Sequence, residues 1–203
     1  CEAGAGVSVP CTDNTGRTIL QRRSKTVNDP CYRFDRAAPH GTGHIKAGLN
    51  YAMSLHAIVT AHEEGYAENM YLDAATRTKV EETGGANFLF VTKDNKIVTP
   101  KSDSILPSIT RRSLMYVAEH YLGLEVEQRE VYLDEVPNFV ECGLCGTAAV
   151  ISPIGKIVDH GREICFASGM DEMGPVLSKL RETLVDIQEG RIEAPEGWIH
   201  VIE

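Results

Sequence analysis

Val80-Glu81-Glu82-Thr83-Gly84-Gly85-Ala86-Asn87-Phe88 runs straight into Leu89-Phe90-Val91, and Asp94-Asn95 then separates it from Lys96-Ile97-Val98-Thr99-Pro100. Ala86 to Val91 is a nearly continuous apolar run, the pattern of a buried strand. The polar pair behind it predicts a hairpin with a two- to four-residue turn. Upstream, Asn69 to Asp73 reads as a further short strand. Tyr51 to His62 reads as a helix, with Ala52, Leu55, Val59 and the stem of His62 at helical spacing and Gly65 as its stop. Downstream, Thr110 is placed to cap a helix whose stripe is Leu114, Val117, Ala118 and Tyr121, ending near Gly123. Glu125 to Val131 alternates as a half-buried strand does. Ala148 to Val158 carries two strand-like pieces bent at Pro153 and Gly155. Gly174-Pro175 opens a last helix with Val176, Leu177, Leu180, Leu184 and Ile187 on one face. Trp198, the single tryptophan, is expected to pack over the domain edge. The expectation is a mixed α/β (α+β) domain with mostly antiparallel strands.

The chain has 203 residues, 42% hydrophobic and 24% charged, with a formal charge of −9. That length suits one sizeable domain or two small ones. The acidic balance argues against a nucleic-acid partner or an anionic membrane surface. No apolar run approaches a membrane span and no signal-peptide pattern is seen, so the expectation is a cytoplasmic protein. The chain begins with Cys1, and residues 1–33 read as an irregular lead-in or the remnant of a larger N-terminal region. Beyond Thr18-Ile19-Leu20, they show little periodicity and carry the basic cluster Arg22-Arg23-Ser24-Lys25.

Six cysteines (Cys1, Cys11, Cys31, Cys142, Cys145 and Cys165) are too sparse for a disulfide scaffold. Cys142-Gly143-Leu144-Cys145 has the spacing of a redox pair or half a zinc site. Only His160 and Cys165 follow nearby, at spacing that fits no standard knuckle, so buried unmodified thiols are expected and no metal.

Four segments could carry chemistry. In Gly43-His44-Ile45-Lys46-Ala47-Gly48-Leu49-Asn50-Tyr51-Ala52, a lysine lies among small residues just ahead of a helix. Partly desolvated there, its amine would be a nucleophile or base, although such a lysine also reads as a solvated loop charge. Glu82, at the mouth of a buried strand, could hold a protonated ring nitrogen, or Glu81 and Glu82 are two solvated charges before a turn. Ser104 to Arg112 sets hydroxyls and free N–H groups at a helix start, either an anion site or a plain cap. Cys145-Gly146-Thr147-Ala148-Ala149 can present amides to a phosphate or carboxylate, or is a tight strand entry. Together they offer an amine, a phenol, a carboxylate and two phosphate-binding loops, the partners that pyridoxal phosphate needs.

In order and wording these segments resemble the fold-type-IV pyridoxal-phosphate enzymes, most closely the branched-chain amino-acid aminotransferases. The carriers are Lys46-Ala47-Gly48-Leu49-Asn50-Tyr51, Glu82-Thr83-Gly84-Gly85-Ala86-Asn87-Phe88, Leu106-Pro107-Ser108-Ile109-Thr110-Arg111 and Gly146-Thr147-Ala148-Ala149. Asp35-Arg36-Ala37-Ala38-Pro39 followed by Gly41-Thr42-Gly43 also looks like the family's approach to its lysine. The resemblance runs from about Phe34 to the C-terminus. It implies a fold-type-IV C-terminal domain at 34–203, a mainly antiparallel sheet or pseudo-barrel with surrounding helices. It also implies that Lys46 is the catalytic Schiff-base lysine and proton shuttle, that Tyr51 bonds the phenolate oxygen, and that Glu82 keeps the pyridine nitrogen protonated. Ile109, Thr110 and Thr147 would hold the phosphate, with the Thr147-Ala148 backbone facing the substrate carboxylate. Arg36 matches an arginine near the cofactor in part of the family.

The implied reaction is transamination of leucine, isoleucine and valine with 2-oxoglutarate, through 2-oxo acids, in a homodimer. D-Amino-acid aminotransferases and aminodeoxychorismate lyases share the fold and are the nearest alternatives; an inactive cofactor domain or interaction module is the third. Leu49 and Ser108 stand where the family usually has Gly. The family's smaller N-terminal domain, which supplies a phosphate-binding arginine and much of the side-chain pocket, cannot be encoded by residues 1–33. Cys142 and Cys145 precede the Gly-Thr turn, whereas the redox pair of some animal members follows it.

Overall fold

The computed structural model describes residues 25–28 and 34–200. Its elements are β1 (Lys25–Asn28), α1 (Gly48–Glu63), β2 (Glu68–Asn69), β3 (Asn87–Val91), β4 (Ile97–Pro100), α2 (Ile109–His120), β5 (Val126–Arg129), β6 (Glu141–Gly146), β7 (Val150–Asp159), β8 (Arg162–Cys165) and α3 (Pro175–Gln188). A 3-10 segment, Leu133–Asn138, links β5 to β6. One open sheet runs β2-β1-β7-β6-β3-β4-β5, with β8 paired to β7. The pairs β3–β4, β3–β6, β6–β7 and β7–β8 are antiparallel; β1–β2, β1–β7 and β4–β5 are parallel. The mixed, mainly antiparallel sheet with helices around it is thus the fold observed.

The apolar run at β3 is explained by burial on both faces. Phe88 and Phe90 point into one core with Met70, Val98, Leu144 and Ile154; Leu89 and Val91 point into the other, under α2 and α3. The stripe expected for α3 faces that second core, as do Leu114, Val117 and Ala118 of α2.

Several expectations need correction. Lys25–Asn28, expected in an irregular lead-in, is a strand whose partners β7 and β2 are far along the chain. Local periodicity carries no trace of such parallel pairing. Residues 1–24 and the cysteines Cys1, Cys11 and Cys31 lie outside the described residues. The two pieces expected over Ala148 to Val158, bent at Pro153 and Gly155, form one ten-residue strand. Its register against β1 jumps from Ile154 to Lys156, so the irregularity is a bulge at Gly155 and not a break.

The helix after the lysine forms, but not on the expected face. Asn50, Ser54, Ala57 and Ala61 are buried, while Leu55 and Val59 are exposed. Small side chains let this helix lie close to the sheet, as in the bond from the Tyr71 hydroxyl to the Ser54 carbonyl (3.2 Å), and the larger apolar side chains are left outside. Tyr121 of the expected α2 stripe is likewise partly exposed, its hydroxyl bonded to the Glu193 carbonyl. Trp198 does pack at the edge, against Tyr116.

Cys142 and Cys145 sit three residues apart on β6 and therefore face opposite sides of the sheet, one in each core. That geometry prevents a shared disulfide or shared metal. Burial pushes both thiols up, Cys145 to about 12. The start of β6 also anchors α3. The buried Glu141 carboxylate accepts the N–H groups of Val176 (3.1 Å) and Leu177 (2.9 Å), supplying the cap that Gly174 lacks. A Cβ at position 174 would overlap this carboxylate, so glycine is required there.

Glu141→Ala should therefore cost about 1–3 kcal/mol, read as a lower urea midpoint at unchanged slope. A brief maleimide pulse followed by peptide mapping should label Cys165, which is exposed, and spare Cys142 and Cys145 until the protein unfolds.

Candidate active site

The lysine loop is tied down from behind. Asn50, buried in the first turn of α1, donates to the carbonyls of Thr42 (2.8 Å) and Ile45 (2.9 Å) and accepts from the Thr42 hydroxyl (3.1 Å). Gly43 lies so close to Ser104 that any Cβ would overlap the Ser104 carbonyl. Lys46 itself is exposed and has no carboxylate partner among the described residues.

Glu82 is 3% exposed, at the end of a segment closed onto β3 by a turn. Thr83 accepts from and donates to Ala86 across Gly84-Gly85, and the Asn87 amide donates to Glu82 Oε2 at 2.5 Å. Glu82 Oε1 accepts the Leu106 N–H (2.9 Å) and forms an ion pair with Arg36. Arg36, 6% exposed, also donates to the Gly43 carbonyl (3.0 Å), and its Nη1 is buried without a partner. Burial raises the Glu82 carboxyl to about 7 even though Arg36 opposes the shift.

Lys46, Tyr51, Glu82 and Thr147 line a single cavity together with Arg36, Asn87, Leu106, Ser108, Cys145 and the Gly84-Gly85 and Gly146 turns. Its enclosed part is about 70 Å³, room for roughly two waters. A larger ligand would extend through the open side, where Lys46 and Tyr51 stand. Larger grooves of about 690 and 500 Å³ contain neither Lys46 nor Glu82.

Three predicted residues do not line this cavity. The Ile109 side chain is 70% exposed and turns into the 690 Å³ groove between α2, α3 and Trp198. Thr110 lies in the first turn of α2, and Ala148 is exposed beyond Thr147. For Ile109 and Thr110 the backbone is the relevant part, since first-turn N–H groups have no intrahelical acceptor. Thr110 is not the cap: Ser108 is, its hydroxyl accepting from Arg111 N (3.2 Å) with an extended backbone that a helical Thr110 lacks. Residue-type reasoning gives no role to Asn87, although it is the one amide in an apolar run, or to Asn50 in the lysine motif.

These donors and acceptors suit an anionic heteroaromatic ligand. Arg36 has an unused buried N–H, Ser108 brings the N-terminal end of α2 to the cavity wall, and Glu82 can meet a ring nitrogen.

The shift at Glu82 has a stability consequence with a definite sign. Below about pH 4.5 the group is protonated folded and unfolded; from there to about 7 only the folded protein keeps its proton. Stability of the ligand-free protein is thus lost through this group as pH rises across that window, on the order of 2–3 kcal/mol in full. The stability difference between Glu82→Gln and wild type should rise by that amount from about pH 5 to pH 8. A flat difference would show that Glu82 ionises normally.

The sequence profile described as amino-transferase class IV matches residues 20–157. A branched-chain-amino-acid aminotransferase of Haemophilus influenzae is 52% identical over 175 residues, covering 84% of this chain and 51% of its own length. The Helicobacter pylori enzyme of that name is 49% identical over 166 residues, covering 82% and 48%. Among solved structures, the Escherichia coli branched-chain amino acid aminotransferase superposes with a TM-score of 0.76 at 29% identity, covering 88% of this chain and 57% of that one. The enzyme from Thermobaculum terrenum in its PLP-form gives 0.72 at 33% identity, covering 85% and 52%. The chain spans about half the length of the relatives it matches. In sequence and in fold alike, it belongs to the class IV amino-transferases.

Proposed function

We propose that this chain carries the cofactor half of a pyridoxal-phosphate-dependent transaminase acting on leucine, isoleucine and valine with 2-oxoglutarate. The observation that carries the reading is the convergence of Lys46, Tyr51, Glu82 and Thr147 on one cavity from four separate segments. The names of the relatives support the substrate class, and the PLP-form neighbour supports the cofactor.

Bound there, pyridoxal phosphate would supply an electron sink for the substrate's α-carbon. Lys46 would hold its aldehyde carbon, Tyr51 its phenolic oxygen and Glu82 its ring nitrogen. The amides of Ile109 and Thr110, with the hydroxyls of Thr110 and Thr147, would take the phosphate. The Thr147-Ala148 backbone would face the substrate carboxylate. Lys46 would also be the base that takes the substrate's α-proton and gives it back, a role worth about 10²–10⁴-fold. Its position at the open side gives that amine room to swing, while the buried Glu82 stays fixed.

The reading places residues 34–203 in the cofactor domain and includes a homodimer. Leu49, Met53, Leu55 and Val59 along α1 are exposed apolar surface that association would cover.

Borohydride reduction after addition of pyridoxal phosphate should fix a cofactor-derived mass on the peptide that contains Lys46. In Lys46→Ala that mass should be absent and transamination should fall at least 10²-fold. With 2-oxoglutarate as acceptor, leucine, isoleucine and valine should each exceed D-alanine as donor. An unchanged Lys46→Ala variant would refute the assignment, and preference for D-alanine would move it to another reaction on the same fold.

A further inference from the structure

Glu82 is approached by three donors, and only one of them carries a charge. The Leu106 N–H and the Asn87 amide are neutral; Arg36 is a guanidinium, buried beside the carboxylate and pinned by the Gly43 carbonyl of the lysine loop. The other titratable groups around Glu82 are Arg111 from α2, Glu81 from the same segment, the Cys145 thiol from β6, and Lys46 and Tyr51 on the same cavity. Arg111 is anchored on the Pro100 carbonyl (3.1 Å), Glu81 on the Ser102 hydroxyl (2.7 Å), and the thiol is uncharged. Arg36 is thus the one cation in direct contact with the carboxylate among the described residues, and burial of both partners leaves little water to screen it.

A carboxylate offers about four acceptor positions. Leu106 and Arg36 use two on Oε1, and Asn87 uses one on Oε2, which leaves one for a ligand. A pyridine-type nitrogen meeting that position shares a single proton with Glu82. The proton stays on oxygen, giving O–H···N, or moves to the nitrogen lone pair, giving O⁻···H–N⁺. In a buried site the balance is set by the nearest fixed charge, and a cation against the carboxylate favours the second arrangement.

We propose that Arg36 is a positioning residue that decides where this proton sits, holding Glu82 as the anion and leaving the proton on the ligand's ring nitrogen. The inference rests on the reading of the cavity as a pyridoxal-phosphate site. It goes beyond that reading by giving the lysine approach loop an electrostatic role, because the Gly43 carbonyl of that loop accepts from the guanidinium and holds it beside Glu82. Burial pushes Glu82 towards the neutral acid, and the Arg36 guanidinium in contact with it is the main opposing influence.

The test is the ring-nitrogen NMR shift of pyridoxal phosphate labelled with ¹⁵N and bound to the protein near pH 7.5. Wild type and Arg36→Lys should show a pyridinium shift. Arg36→Gln should move at least half of the interval towards unprotonated pyridine, with Glu82→Gln as the reference for a site without a carboxylate. A wild-type shift in Arg36→Gln overturns the proposal. So does loss of pyridoxal-phosphate binding by a folded Arg36→Gln, which would make Arg36 a binding group only. Should Arg36→Gln not fold, the infrared band of Glu82 in loaded wild type, assigned by its loss in Glu82→Gln, decides instead: a carboxylate band supports the proposal and a protonated C=O band overturns it. Wild type that takes up no pyridoxal phosphate would sink the functional reading, a failure distinct from all of these.

Discussion

Asn87 stands opposite Cys145 in the antiparallel pair of β3 and β6, and this register brings the Glu82–Asn87 turn beside Gly146 and Thr147. Because side chains alternate, a slip of one residue would exchange Phe88 and Phe90 with Leu89 and Val91 between two differently shaped cores. It would also turn Asn87 away from Glu82. The register is thus held by burial on both faces and used, at one end of the strands, to place a carboxylate. The other end of β6 depends on the same pair, since Glu141, opposite Val91, caps α3 and fixes the helix that covers the second core.

The carboxylate so placed costs stability. Taking Glu82 out of water favours its neutral form, and the guanidinium beside it is itself buried with one N–H unpaired. An apolar pair in that space would fold more favourably. Proteins accumulate such unsatisfied polar groups where a ligand completes them, and here the unused donor belongs to Arg36, which lines the same cavity as Glu82. Unfavourable electrostatics at Glu82 and Arg36 and readiness for an ionic ligand are two descriptions of one arrangement.

Legibility in the sequence followed the range of the forces involved. The β3–β4 hairpin and α3 were readable because turn chemistry and amphipathic spacing are local. β1 was not, since a parallel strand is defined by partners more than a hundred residues away in β7. The α1 face was misread for another reason: helical spacing shows that apolar residues are aligned but not which way the stripe points. Close approach to the sheet selected Asn50, Ser54, Ala57 and Ala61 instead. At the site, Lys46, Tyr51, Glu82 and Thr147 were legible through their motifs, and the structure brings them together. The cap was assigned to Thr110 when Ser108 makes it, because both hydroxyls fit the composition rule and only backbone geometry separates them. Asn87 carries no role in the motif alone, yet an amide amid Phe, Leu and Val is a signal of a buried polar contact.

The two sides of the cavity are built differently, and the difference bears on how the site would work. Glu82, Asn87, Arg36 and Cys145 are buried and tied by bonds that span the approach loop, the Gly84-Gly85 turn and β6; Lys46, Tyr51, Thr147 and Ala148 are exposed. A ligand held by its ring nitrogen at the buried side has one fixed end, so the groups at the open side need only reach it. That would suit an amine with the role proposed for Lys46. It also separates two kinds of precision. On the proposed reading, the charge state of the ligand would be set at the buried side, where Coulomb interactions are strong, and the proton transfers would fall to Lys46 at the exposed side. Exchanging these places, with the lysine buried and the carboxylate exposed, would weaken both: the ring nitrogen would lose its proton to water, and the amine would lose its reach.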